Sequence, residues 1–137
     1  MVDKTLNYLA LARKAGKAEL GEEPVGAAAR AGKAYLIVVA SDASDHTWRR
    51  GKSYTAGTNQ QCIRLTFTKD ELGQIIGRSS LAMAAITDPA LALALVQSLE
   101  NPDAKALEAL DQIVKRNKQR QSEAKAHRKN VKMGKKK

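Results

Sequence analysis

Apolar positions along this chain switch repeatedly between helical and strand spacing. Residues 4–15 place Tyr8, Leu11, Ala12 and Ala15 at i, i+3, i+4 and i+7, which predicts a helix. Arg13 and Lys14 fill its last turn and Gly16 closes it. A short strand over 17–20 follows. A second helix over 22–31 sets Val25, Ala28 and Ala29 on one face, with Pro24 in the first turn, where a missing N–H costs nothing, and Gly32 at the end. Residues 34–40 are apolar without interruption, as suits a central strand covered on both faces. A weaker helix is predicted over 44–58, interrupted by Gly51 and Gly57.

The second half continues the alternation. Residues 62–67 alternate as a strand. Thr68 and Glu71 have the spacing of a capping box and open a short helix through Ile76, which Gly77 closes. Leu81–Ile86 read as another strand, and Asp88 caps a helix that begins at Pro89. Asn101-Pro102 breaks the pattern. Leu107, Leu110 and Val114 then form a short apolar stripe suited to docking on the domain. Beyond Lys115 apolar residues almost vanish until Val131, so that segment is either a solvated helix or a disordered arm. Alternating helices and strands predict an α/β fold with helices on both faces of a sheet. The expected organisation is a domain over residues 1–100 and a basic extension over 101–137.

Charge changes the picture more than composition does. The 137 residues are 43% hydrophobic, enough for a folded domain, and carry a net charge of +10. Residues 1–111 hold 13 Lys and Arg against 13 Asp and Glu. Residues 112–137 hold 11 against the single acid Glu123. The whole excess therefore sits in the extension, where Lys115, Arg116, Lys118 and Arg120 begin a run suited to phosphates and to salt-dependent binding. The run lacks the Trp, Phe or Leu face of a membrane-surface helix. The two longest apolar runs have seven residues each, too few to cross a bilayer, and a cytoplasmic protein without a membrane partner is expected.

Candidate chemistry is sparse. Cys62 is the only cysteine and reads as a small core residue, so no intrachain disulfide or cysteine-rich zinc site can form. His46 and His127 have no partner at metal-ligand or catalytic spacing and read as surface residues. Trp48 reads as a packing residue of a surface helix, and 4% aromatic content argues against binding by base stacking. No catalytic residue, metal, cofactor or small-molecule substrate is indicated. The remaining candidate is Gly16–Gly26, a turn that opens a helix and so exposes backbone N–H groups and the positive end of a dipole. Glu22 and Glu23 there stabilise any helix start, whatever else they do.

Three stretches in register resemble the kink-turn-binding ribosomal protein family, and most closely its bacterial YlxQ-type branch. They are Ala12-Arg-Lys-Ala-Gly-Lys-Ala-Glu-Leu-Gly-Glu-Glu with Arg30-Ala-Gly-Lys-Ala, then Leu36-Ile-Val-Val-Ala-Ser-Asp-Ala-Ser, then Thr68-Lys-Asp-Glu-Leu-Gly-Gln-Ile-Ile-Gly with Leu81-Ala-Met-Ala-Ala-Ile-Thr-Asp. The resemblance implies a three-layer α/β/α sandwich with a mixed four-stranded sheet. It implies that the turn at Gly21 enters the RNA major groove and that Glu23 reads guanine N–H donors. Glu22 stands where archaeal members carry an amide, and Gly26 where many members carry a lysine. Lys14, Lys17 and Lys33 are expected to flank the turn and contact phosphates. A second RNA-facing loop matches Arg78, Ser79, Ser80, Leu81 and Ala82, with Arg78 toward a phosphate and Leu81 packing on a base.

These implications point to a non-enzymatic RNA-binding protein acting in translation, recognising a kink-turn or other structured RNA, chiefly ribosomal RNA or the ribosome itself. Three alternatives stay open. One is a ribosome-assembly protein without kink-turn specificity. Another is a protein–protein module, as in the Gadd branch. The third is an accessory domain serving an RNA methyltransferase in trans.

Overall fold

A computed structural model describes the backbone of residues 3–134 and the side chains of residues 3–124. The described residues form six helices and four strands: α1 Lys4–Lys14, β1 Ala18–Leu20, α2 Glu22–Arg30, β2 Leu36–Val39, α3 Asp45–Thr55, β3 Gln61–Arg64, α4 Lys69–Ile75, β4 Met83–Ile86, α5 Pro89–Gln97 and α6 Ala104–Gly134. The strands lie in the order β1-β4-β2-β3. β4 pairs antiparallel with both β1 and β2, while β2 and β3 are parallel and joined by the α3 crossover. The sheet is therefore mixed, as expected.

The continuous apolar run explains the layering. All four residues of β2 are buried, because alternate side chains enter different cores. Leu36 and Val38 join Ala84 and Ile86 against α1, α4, α5 and α6. Ile37 and Val39 join Met83 and Ala85 against α2 and α3. Helices thus cover both faces of one sheet, a three-layer α/β/α sandwich. Among the described residues no helix is long and apolar enough to cross a membrane.

Local signals placed most element starts. Asp3, Ser44, Thr68 and Asp88 cap α1, α3, α4 and α5 with side-chain oxygens, and Thr68 with Glu71 forms the full capping box. The strands are shorter than their apolar runs. Leu65 still donates its N–H to the Val39 carbonyl (2.8 Å), but β3 ends at Arg64 and its neighbours bend into the next cap.

The buried face of α1 differs from the predicted one. Thr5, Leu6, Leu9 and Ala12 face the core, whereas Leu11 is 49% exposed and Ala15 is also exposed. The true stripe has its own i, i+3 and i, i+7 spacing, from Leu6 to Leu9 and from Thr5 to Ala12. Periodicity alone did not separate the two.

The weak helix over 44–58 is real, and its glycine has a packing reason. A Cβ at Gly51 would stand 3.0 Å from the Cys62 sulfur and 3.2 Å from the Met83 methyl, so glycine lets α3 lie close on the sheet.

Among the described residues the extension is one continuous helix from Ala104 to Gly134. Its first turns dock as the stripe suggested: Ala106 and Leu110 are fully buried, Ile113 nearly so, and Leu107 and Val114 pack beside them. α5 is apolar on nearly every side because it lies between the sheet, α1 and α6.

Candidate nucleic-acid interface

Four strand ends meet at one end of the sheet. The Gly21 N–H donates to the Met83 carbonyl (2.9 Å), the Ala40 N–H to the Ala82 carbonyl (2.9 Å) and the Ser41 N–H to the Phe67 carbonyl (2.8 Å). These bonds place the Gly21 turn beside residues 78–82, the two stretches singled out from sequence. Both follow directly from topology, since β1 ends where β4 begins.

The turn is built for close approach. Gly21 has φ 99° and ψ 160°, a conformation open to glycine and strained for other residues. It caps α2 without a side chain, and Pro24 has no N–H to satisfy. The Val25 N–H returns to the Gly21 carbonyl (3.0 Å). The N–H groups of Glu22 and Glu23 have no partner among the described residues, and both point from the positive end of the α2 dipole.

The two glutamates differ in their surroundings. Glu22 is half-buried against α3. Its carboxylate accepts from the Thr47 hydroxyl (3.0 Å) and pairs with Arg50 (3.3 Å). Its charge is therefore compensated rather than left to repel a phosphate backbone. Glu23 is exposed and makes no side-chain bond to any described residue, so its two carboxylate oxygens are available as acceptors. Gly26 is buried, and a Cβ there would meet the Tyr54 ring at 3.0 Å. A lysine at that position would have to displace Tyr54, which accounts physically for its absence.

The neighbouring loop is held from below. Gly73 lies against it, and a Cβ at Gly73 would stand 2.6 Å from the Ser80 nitrogen and 2.9 Å from the Arg78 carbonyl oxygen. Lys69 fastens the same loop. Its N–H donates to Asp42 (2.8 Å), and its carbonyl accepts from the Leu81 N–H (2.9 Å). Arg78, Ser79 and Ser80 are exposed and Ala82 is half-buried. Leu81 departs from expectation: it is 3% exposed and packs in the core, so its side chain offers no surface to a base. Its N–H is fixed to the Lys69 carbonyl at the start of α4, which seats the side chain in the core with Leu72 and Ile76.

Lys14, Lys17 and Lys33 are exposed, but the structure does not bring them to the turn. The Lys17 carbonyl accepts from Thr87 N–H (2.8 Å), beyond the far end of β4. Four residues of strand separate it from Gly21, about 13 Å. Lys33 follows the last turn of α2, a nine-residue helix that starts just after its N-cap Gly21. The three lysines therefore mark the opposite end of the sheet, because β1 and α2 both run the length of the domain.

Lys115, Arg116, Lys118 and Arg120 are exposed on α6, also away from the turn. α6 starts beside Ile63 and Arg64 and passes Tyr35 and Asn59 at Arg116, so it leaves the domain at the end where Lys17 and Lys33 lie.

Sequence reasoning missed Arg50 and Gly73. Thr47 and Arg50 share the i, i+3 spacing of one helix face, which was the available signal for the first. Gly73 gave no signal of its own, because its partners lie in the 78–80 loop.

The remaining candidates carry no reactive chemistry. Cys62 is partly buried against α3, and burial pushes its thiol up to about 12, despite the opposing charges of Lys52 and Arg64. Such a thiol stays protonated at neutral pH and is a poor nucleophile. Trp48 is half-buried, with the Arg64 guanidinium 4.8 Å and the Lys52 ammonium 5.6 Å from its ring centroid. Cations, rather than open space, adjoin its ring. His46 is exposed, and the side chain of His127 lies outside the described residues.

The chain is similar to known proteins. The chain is 37% identical over 75 residues to the RNA-binding protein YlxQ of Enterococcus faecium, an overlap of 55% of this chain and 72% of the relative. A Bacillus halodurans protein of unknown function superposes with a TM-score of 0.68 at 24% identity, covering 73% of this chain and all of the other. The Giardia lamblia 15.5kD RNA binding protein superposes with a TM-score of 0.59 at 18% identity, covering 73% of this chain and 85% of the other. The last two likenesses bear on the fold alone. The family model for Ribosomal protein L7Ae/L30e/S12e/Gadd45 matches residues 3–95, which include every strand, the Gly21 turn and the 78–82 loop, and the chain belongs to that family.

Proposed function

We propose that this protein is a non-enzymatic RNA-binding protein, and that it recognises a kink-turn or similarly structured RNA through the sheet end formed by Gly21–Glu23 and Arg78–Ala82. The observation that carries the reading is the turn itself. Two free N–H donors and one free carboxylate, on Glu23, stand beside an exposed loop bearing Arg78. The carboxylate can accept from guanine N1 and N2, and the N–H groups can meet a base edge or a phosphate. Arg50, held beside Glu22, adds a cation that the turn lacks in its own sequence. Membership of a family of ribosomal proteins, and identity to a relative named as RNA-binding, support an RNA partner and make ribosomal RNA the first to test.

Gel-shift titrations on a kink-turn RNA and on one with its G·A pairs replaced test the reading. Tighter binding to the intact kink-turn is expected, with the preference reduced about tenfold by Glu23→Ala, as for loss of a base-edge contact worth about 1–3 kcal/mol. Equal affinity for both RNAs, unchanged in Glu23→Ala, overturns recognition by this face.

A further inference from the structure

The opposite end of the sheet has a cleft of its own. Tyr35 and Asn59 form one side, and Ile113, Arg116, Asn117 and Arg120 of α6 the other, around a volume of about 230 Å³. No carboxylate lines it. At 100° per residue, positions 113, 116, 117 and 120 fall on one side of the helix, while Lys115 and Lys118 fall on the other. Lys115 is paired with Asp111 at 3.0 Å. Among the described residues neither Arg116 nor Arg120 has an ion-pair partner. Two like charges one turn apart disfavour a helix, a penalty that a bound anion removes.

We propose that this cleft holds the sugar–phosphate backbone of a second RNA segment, so that the protein grips RNA at both ends of its sheet. This rests on the RNA-binding reading above and extends it to a different surface. The guanidiniums of Arg116 and Arg120 suit phosphate oxygens bidentately. The amides of Asn59 and Asn117 and the Tyr35 hydroxyl suit sugar hydroxyls. The volume falls below the roughly 300–1,000 Å³ of small-molecule pockets, so it fits a passing backbone rather than an enclosed nucleoside. Lys33, next to the cleft-lining Gly32, extends the track beyond the cleft, as a long polyanion requires.

Two double variants of the full chain test this. Arg116→Ala/Arg120→Ala and Lys115→Ala/Lys118→Ala each remove two charges, from the cleft side and from the opposite side. Their circular dichroism should match the wild type. On a kink-turn RNA with a long single-stranded extension, the cleft pair should weaken binding about tenfold and flatten the log–log salt slope by about 1.4, two contacts at about 0.7 each. The other pair should weaken it less than about threefold. Equal losses from both pairs would overturn the cleft and leave only diffuse charge. If Glu23→Ala still abolishes kink-turn preference in that case, the turn stands and the cleft alone falls. Absence of RNA binding by the wild type removes both. Competition by polyglutamate as effective as RNA of equal charge would overturn the assignment to RNA.

Discussion

At the scale of single residues, glycines decide where this domain comes close to itself. Gly73 is the sharpest case, since any side chain there collides with backbone of the 78–80 loop rather than with a movable side-chain tip. Gly73→Ala should therefore destabilise the fold by about 1–3 kcal/mol, despite the better helix propensity of alanine. Denaturant unfolding measures the loss, and amide exchange at Ser79 and Ser80 should quicken with it. An unchanged midpoint would mean that the loop yields freely. Sequence identified Gly21 because a glycine before a helix start has few other uses. It was silent on Gly73 and marked Gly26 only as a missing lysine; their packing roles depend on Ser80 and Tyr54, which lie elsewhere in the chain. Glu22 shows the same limit. Its charge was legible, but the Arg50 that compensates it comes from another helix, 28 positions on.

At the scale of elements, caps and apolar runs were enough to place every strand and the start of nearly every helix. What they lacked was orientation. Leu11 rather than Leu9 was assigned to the core, because short amphipathic patterns do not say which neighbour will cover them, and the surface place that the resemblance implied for Leu81 did not hold. Three lysines close to the turn in sequence proved far from it in space, since a strand and a helix each carry the chain the length of the domain. One buried polar residue holds the entry to the central strands. Gln60 is 5% exposed; its side-chain oxygen accepts from the Ala34 N–H (2.9 Å), and its amide donates to the Ala29 carbonyl (3.3 Å). It thereby links the end of α2 to the starts of β2 and β3. Gln60→Leu should lower stability by about 1–3 kcal/mol, the cost of stranding buried backbone groups. Thermal unfolding checks this, and a gain in stability would show that water reaches the site.

For the whole molecule, the division of labour along α6 governs what can be removed. Its first turns complete the core through Ala106, Leu110 and Ile113, and its later turns carry charge. Truncation after Val114 should leave the melting temperature nearly unchanged while weakening RNA binding and its salt dependence. Leu110→Ala should cost about 2–5 kcal/mol, because it opens a cavity between α5 and α6. A truncated protein that unfolds earlier would show that the distal helix also stabilises the domain. The exit of α6 away from the Gly21 turn has a further consequence. With its excess positive charge beyond one end and a neutral body behind it, the molecule is an electric dipole with a long lever arm. Near any polyanion it experiences a torque before it makes a contact. Encounters with a polyanion therefore begin tail-first, and the domain follows as the second event of a tethered search.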